Sequence, residues 1–180
     1  MNSRKHTRLA AFAAALVAAA ALATFIAAGG CHRVPDQRGF TDLGSQPKQA
    51  VVQVRCAKIP WVSPVAAHCW FAEYDPAAEA WNRWEVWQTA DPGPGGWGHL
   101  RKNQSGPGAG VGAGPSWALA EWTGQPAERI GRALADSEAY PYRNTYRYWP
   151  GPNSNTFVAW VLRRADVEFD LPPAAWGSGY

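Results

Sequence analysis

The stretch VAAHCWFAEY, at residues 65–74, decides the fold of this chain. It is rich in β-branched, aromatic and small apolar residues, which is typical of a strand. The run VVQVRCA, at residues 51–57, precedes it and brings three side chains onto one side by alternation: Val52, Val54 and Cys56. The Trp-rich run AWNRWEVWQT follows at residues 80–89. Together these runs predict three neighbouring strands.

The second half of the chain has helical periodicity. Residues 126–139 place a proline in the first turn and form an apolar stripe from Ile130, Ala133 and Leu134. Residues 154–164 form a second stripe, with two arginines at the carboxyl end. In between, residues 91–115 hold nine of the 18 glycines, which predicts a long loop or lid with at most a short strand at residues 98–102. Strands followed by helices predict an α+β fold, a small antiparallel sheet packed with two or three helices.

The net charge of the chain is concentrated at its amino terminus. The 180 residues include 17 Lys and Arg against 14 Asp and Glu, and the excess of three lies within residues 1–31. The remainder is formally neutral, so no nucleic-acid partner is expected, because such a partner needs clustered basic residues. All 11 Trp follow residue 31. This predicts a polar tether at residues 32–49 and one globular domain at residues 50–180.

Residues 1–31 predict export from the cytoplasm. A basic start is followed by small and apolar residues at 9–28 and then by the run AGGC, which ends at Cys31. Small residues directly before a cysteine resemble a bacterial lipoprotein site, at which Cys31 would be lipidated. The alternatives are an uncleaved transmembrane helix and an ordinary cleaved signal peptide. All three place the globular domain in the cell envelope on the periplasmic side, and the first two tether it to a membrane.

Two further cysteines fall in the predicted sheet. With a turn near residues 60–64, antiparallel pairing of the first two strands would set Cys56 opposite Cys69. The envelope permits a disulfide at that place, and two buried free thiols are the alternative. No second pair of Cys or His residues lies at ligand spacing, so no metal site is predicted. No motif indicates a cofactor, and the sequence does not specify an oligomeric state.

Several runs of unusual composition stand out in the chain: AHCWF at residues 67–71, RWEVW at 83–87, YPY at 140–142, WPGPNSNTFV at 149–158 and LPP at 171–173. Between about residue 51 and residue 176 they resemble a bacterial family known only as domain of unknown function 3750. The run PGPNSNTF carries most of the likeness because it is long and compositionally odd. The resemblance implies no activity.

A remoter resemblance is to circularly permuted, NlpC-type papain-like proteins. These proteins place a histidine on an early strand and a nucleophilic cysteine at the start of a late helix, in a run like Asn-Cys-x-x-Phe-Val. Here His68 lies on an early strand, and the run NSNTFV at residues 153–158 has the same spacing with Ser154 in place of the cysteine. The resemblance implies a permuted papain-like fold and a nucleophile at Ser154.

The chemistry expected of such a site is a hydrolase or acyltransferase reaction. Ser154 would be the nucleophile, His68 its base, and Glu85 or His99 the group that orients the imidazole. The helix start would supply backbone N–H groups for a developing oxyanion. The neighbouring polar and aromatic residues are candidates for binding the substrate: Asn153, Asn155, Thr156, Trp70 and Tyr142.

Each of these residues also has a structural interpretation. Ser154 or Asn153 would serve as a helix N-cap, and His68 as a core histidine bonded to a backbone carbonyl. Glu85 would pair with Arg83 or a surface cation. The tyrosines at 140–148 would either line a groove for sugar or peptide or pack against a helix.

Two functions therefore follow from the sequence. One is an envelope hydrolase or acyltransferase that acts on a peptide or lipid. The other is a non-catalytic envelope protein that binds a peptide, glycan or lipid, or maintains the envelope. Both require His68 and residues 153–156 to converge in one concave region, with the late helix pointing its amino end at the strand that carries His68.

Overall fold

The computed structural model describes residues 34–60, 66–91, 93 and 96–180. The predicted leader, including Cys31, lies outside these residues. Over the described part of the chain, no helix combines the length and the apolar character needed to cross a membrane.

One sheet organises the described residues, and its strands all pair antiparallel in the order β4-β5-β3-β2-β1-β6. The bounds are Val51–Lys58 for β1, Ala67–Asp75 for β2, Ala80–Val86 for β3, Gly96–Trp97 for β4, Leu100–Lys102 for β5 and Ser116–Thr123 for β6. The long strands β1, β2 and β3 are those that the sequence predicts, although β3 ends at Val86 rather than at residue 89.

Two helices pack against one face of this sheet. Helix α1 spans Gly124–Ala135 and helix α2 spans Ser154–Arg164. They bury apolar stripes against the strands: Ala127, Ile130, Ala133 and Leu134 from α1, and Phe157, Val158, Val161 and Leu162 from α2. The chain is therefore a small α+β domain, which confirms the predicted fold class.

Strand β6 and helix α1 also differ from the sequence-based expectation. Strand β6 was not predicted, because most of its residues are only half-buried and its run SWALAEWT mixes small and polar residues. Helix α1 begins two residues before the predicted start and ends at Ala135 instead of residue 139. A separate short 3-10 turn, Ser137–Ala139, follows it.

Alternation along β2 divides its side chains between the two faces of the sheet. Ala67, Cys69 and Phe71 belong to the core that the helices cover. The intervening residues His68 and Trp70 therefore point to the opposite face. The register of the first hairpin sets Cys56 opposite Cys69, and these residues form a disulfide with Cα atoms 4.1 Å apart.

The glycine-rich segment covers that opposite face. The indole N–H of Trp70 donates to the carbonyl of Pro107 at 2.9 Å, and the guanidinium of Arg83 donates to the carbonyls of Gly106 and Ala109. Because these donors are rooted on β2 and β3, they hold residues 106–109 against the sheet.

The chain before β1 lies along strand β6. Ala118 donates its N–H to the Gln37 side-chain oxygen at 2.7 Å and accepts from the Gln37 amide nitrogen at 3.1 Å. The backbone N–H and the hydroxyl of Thr41 both donate to the Glu121 carboxylate. The described part of the predicted tether is thus bonded to the sheet.

Candidate functional site

The first turn of α2 is built by a reciprocal capping box. The Asn153 side-chain oxygen accepts the backbone N–H groups of Asn155 and Thr156, at 2.9 and 3.3 Å. The Thr156 hydroxyl accepts the backbone N–H of Asn153 at 3.1 Å and donates to the carbonyl of Gly177 at 2.6 Å. Asn153 is therefore the N-cap, and Ser154 is the first helical residue. The capping role that the sequence offers to either residue falls to Asn153.

Asn155 joins the start of α2 to strand β2. Its side-chain oxygen accepts the N–H of Cys69 at 3.1 Å, and its side-chain nitrogen donates to the carbonyl of Ala67 at 3.0 Å and that of Trp176 at 2.9 Å. Pairing of β2 with β3 stops at Phe71, so the amide of Asn155 satisfies backbone groups that a longer β3 would have taken. This contact brings the helix start to the two residues that flank His68.

The face of the sheet that the glycine-rich segment covers carries a buried cluster of charged and titratable side chains. His68 Nε2 and Glu85 Oε2 are 2.8 Å apart, and Arg83 Nη2 donates to the same carboxylate oxygen at 2.8 Å. The exposed fractions of His68, Arg83 and Glu85 are only 3%, 2% and 4%. Glu85 is therefore the orienting group for the imidazole, and His99, the other candidate, takes no part in it.

The charge on Glu85 is set by its neighbours. Burial on its own would raise the pKa of this carboxyl group, because a charge in a low-dielectric interior is poorly solvated. Hydrogen bonds and attraction from His68 and Arg83 outweigh that effect, so the pKa of Glu85 is lowered. The carboxylate remains ionised and holds the imidazole through Nε2.

Aromatic rings fix the plane of the imidazole. The ring of His68 stacks on Trp70 with centroids 5.6 Å apart and meets the edge of Trp87 at 4.7 Å. The guanidinium carbon of Arg83 lies 3.9 Å from the centroid of Trp70. Nδ1 of His68 makes no hydrogen bond within the described residues, so it is the ring atom left for a ligand or a water molecule.

Two neighbouring cavities lie where the start of α2 meets the start of β2. The larger has a volume of about 500 Å³ and contains Ser154 in its wall, and the smaller has a volume of about 100 Å³ and contains His68. We call the two cavities together the α2 cleft. They share five lining residues: Ile59, Gln88, Val111, Tyr146 and Tyr148. His68 and residues 153–155 of the turn therefore border one apolar concave region.

The structure does not join Ser154 to His68 by a hydrogen bond. Ser154 is only 3% exposed, and its hydroxyl makes no hydrogen bond within the described part of the chain. It lies at the end of a helix that packs on one face of the sheet, whereas His68 points from the other face. The two side chains border adjacent cavities and share no hydrogen bond.

The remaining predicted site residues have structural partners. His99 Nδ1 lies 2.9 Å from the carbonyl oxygen of Trp87, and its ring packs on Tyr146. Tyr142 packs on Tyr140 and Tyr180 and does not line the α2 cleft. Trp70 supports His68 and the glycine-rich segment and lies outside the cleft wall.

Sequence reasoning missed two parts of the site. Arg83 received no role of its own there, although it lies two residues before Glu85 on a strand, and period-two alternation puts the two side chains on one face. Ile59 lines the cleft from a loop and Val111 from a short 3-10 turn, Val111–Ala113, and neither position carries a periodic signal. Among the described residues, no group of three or more His, Cys, Asp or Glu side chains is placed to hold a metal ion.

The fold and the site define a class of protein: a small α+β domain with an apolar cleft beside a buried cluster formed by a histidine, a glutamate and an arginine. The chain belongs to the family described as "Protein of unknown function (DUF3750)", whose model matches residues 49–180. This match confirms the resemblance to that family. No curated protein and no solved structure matches the chain, so the likeness to papain-like proteins stays a prediction.

Proposed function

We propose that this protein is a membrane-anchored ligand-binding protein of the cell envelope, and that the α2 cleft holds an apolar ligand. The observation that carries the proposal is the larger cavity of the α2 cleft, about 500 Å³ in volume, with apolar walls and the unpartnered hydroxyl of Ser154. Binding sites for small molecules have this size and this combination of apolar walls with few polar groups.

Binding is favoured over catalysis by the placement of Ser154. A serine nucleophile needs a base within hydrogen-bond reach, and His68 makes no hydrogen bond to it. The side chain of His68 points to the face of the sheet opposite the one on which α2 packs. The leader supports the envelope part of the proposal, since its basic start, apolar run and Cys31 are typical of an exported, anchored protein.

The binding proposal is tested with the neutral apolar dye N-phenyl-1-naphthylamine and the full chain in lipid nanodiscs. We expect saturable dye fluorescence above that of empty nanodiscs. Val111→Trp places a large side chain in the wall that the two cavities share and should weaken binding about tenfold or more, since it fills the ligand's space. Val34→Trp adds the same side chain at an exposed valine and should not change binding. Equal binding by both variants would contradict the proposal.

The anchoring proposal is tested by metabolic labelling with palmitate. The wild type should incorporate the label, and Cys31→Ser should not. Equal incorporation into both proteins would exclude Cys31 as the lipidated residue and leave the uncleaved helix and the ordinary cleaved signal peptide as the alternatives.

A hydrolase or acyltransferase is the second candidate function. The observation that favours it is the buried contact of 2.8 Å between His68 and Glu85, because a histidine oriented by a carboxylate is the base half of a catalytic triad. A fluorophosphonate probe that labels the wild type and not Ser154→Ala would establish it. Absence of labelling in active, ligand-binding protein would exclude Ser154 as the nucleophile.

A further inference from the structure

We propose that the α2 cleft binds the carboxylate of an apolar chain and that this carboxylate lies at the amino end of helix α2, beside Ser154. The inference rests on the ligand-binding function proposed above and names the chemical class of the ligand.

The first observation concerns the backbone at the helix start. Asn153 accepts the N–H groups of Asn155 and Thr156, so those two donors are already used. The backbone N–H of Ser154 makes no hydrogen bond within the described part of the chain. An 11-residue helix concentrates partial positive charge at such an end, which favours an anion there.

The second observation is independent of the helix backbone. Ser154 is only 3% exposed and lines the larger cavity of the α2 cleft. Its hydroxyl has no hydrogen-bond partner in the described structure and is not fully enclosed by protein atoms, so it remains open to a ligand. Buried polar side chains are almost always hydrogen-bonded. Together with the free backbone N–H, this hydroxyl offers two adjacent donors, which suits the two oxygens of one carboxylate.

The lining of the α2 cleft offers a cation no counter-charge, whereas an anion meets the hydrogen-bond donors and the partial positive charge at the start of α2. No Asp, Glu, Lys or Arg is among the described residues that line either cavity. An ammonium group would therefore find no counter-charge, and the nearby carboxylate of Glu85 is already engaged by His68 and Arg83. A phosphate would bring close to two negative charges to a cleft without a lining cation. A single carboxylate matches the donors that are present.

The walls of the α2 cleft define the rest of the ligand. Ile59 and Val111 supply aliphatic surface, and Tyr146, Tyr148 and Trp176 supply aromatic surface. An apolar chain gains free energy by leaving water for such walls. A fatty acid and the apolar carboxyl terminus of a peptide share this chemistry, and the experiment separates them.

The test measures affinities by isothermal titration calorimetry of the full chain in nanodiscs, with empty nanodiscs as the blank. The first pair of probes is octanoic acid and octanamide, and the second is N-acetyl-leucyl-phenylalanine and its carboxyl-terminal amide. We expect the acid of at least one pair to bind about tenfold or more tightly than its amide, which is the effect of one charged hydrogen bond. The pair that binds identifies the source of the carboxylate.

A pair of serine variants tests whether the carboxylate of the ligand lies beside Ser154. Ser154→Ala should weaken binding of the acid about tenfold and leave binding of the amide within about twofold. Ser137→Ala removes another buried hydroxyl, one that lies outside the α2 cleft, and should change neither affinity.

Other results would contradict either the carboxylate site alone or the ligand-binding function as well. Equal affinities for acid and amide, or an unchanged acid affinity in Ser154→Ala, would overturn the carboxylate site while the ligand-binding function stands. If no probe binds, including N-phenyl-1-naphthylamine, the proposed function falls together with this inference.

Discussion

Each face of the sheet carries a carboxyl group, half-buried in Glu73 and fully buried in Glu85, and the two faces shift its pKa in opposite directions. On the face that the helices cover, Glu73 accepts the indole N–H of Trp84 at 2.7 Å and lies against helix α1 at Gly131. Burial raises the pKa of Glu73, and neither that hydrogen bond nor the attraction of Lys102 offsets it. On the face that the loop covers, His68 and Arg83 lower the pKa of Glu85.

The difference shows how one set of strands serves two purposes. Alternation assigns odd-numbered residues of β2 to an apolar core and even-numbered residues to a polar and aromatic cluster. The first face gains stability from apolar area removed from water, whereas a buried ion pair contributes little net stability for its desolvation. Stability alone therefore does not explain why His68, Arg83 and Glu85 are buried on the loop-covered face.

The largest effect is expected on the helix-covered face. Phe157→Ala removes a fully buried ring that packs on Phe71 and Tyr140. It should lower the free energy of unfolding by about 3–5 kcal/mol, as large-to-small core changes do. Denaturant unfolding followed by circular dichroism measures this loss. Tyr148→Ala removes an exposed ring and is the control. Comparable losses in both variants would show that the two helices do not cover a packed core.

The next effect is a pH dependence of opposite sign on the two faces. Because the folded pKa of Glu85 lies below its unfolded value near 4.5, its contribution to stability is present above that pH and is lost as pH falls through the folded pKa. Glu73 has a raised pKa, so its contribution is fully present below the unfolded value near 4.5 and is lost as pH rises through the folded pKa.

Unfolding free energies measured from pH 3 to pH 7 test this contrast. Glu85→Gln should cost about 2–3 kcal/mol at neutral pH, since it weakens charged hydrogen bonds, and should flatten the loss of stability in acid. Glu73→Gln should steepen that loss relative to the wild type. Glu128→Gln, at an exposed position of helix α1, should follow the wild type. Parallel profiles for the Glu85 and Glu73 variants would remove the distinction between the faces.

The smallest effect separates two adjacent residues at the start of α2. Asn153→Ala removes the cap and should cost about 1 kcal/mol. Ser154→Ala removes a hydroxyl without a partner and should change the unfolding free energy by less than about 0.5 kcal/mol. Thermal unfolding of the two variants compares them directly. A larger loss in Ser154→Ala than in Asn153→Ala would assign the hydroxyl a structural role and weaken the case for a ligand.

Sequence reasoning succeeded where a local signal sets the structure. Helix α2 has the predicted bounds of 154–164, because the Pro-Gly-Pro turn and the polar residues after it mark its start and two arginines mark its end. The register of β1 with β2 follows from alternation and a short connection. Strand β6 was not predicted, because an edge strand buries few side chains and its sequence shows only weak hydrophobic alternation.

The geometry of the site depends on contacts between residues that are far apart in the sequence. The sequence placed His68 and Ser154 near the same end of the domain, and both border the α2 cleft. Whether the two side chains can form a hydrogen bond depends on which face of β2 carries the side chain of His68. Asn155 bonds the backbone at residues 67 and 69, whose side chains enter the helix-covered core, so the side chain between them points away. That result needs the register between a helix and a strand separated by about 85 residues in sequence.

The bonds between Gln37 and Ala118 have a consequence for self-association. An exposed sheet edge is a template on which another chain can add a strand. At Ala118, where β6 forms the outer edge, a single primary amide occupies both the donor and the acceptor of the backbone. Gln37→Ala should therefore act less on folding than on colloidal behaviour, with light scattering that rises with protein concentration while the domain remains folded. One glutamine in a segment without strand structure would then be what keeps this edge from recruiting a second copy.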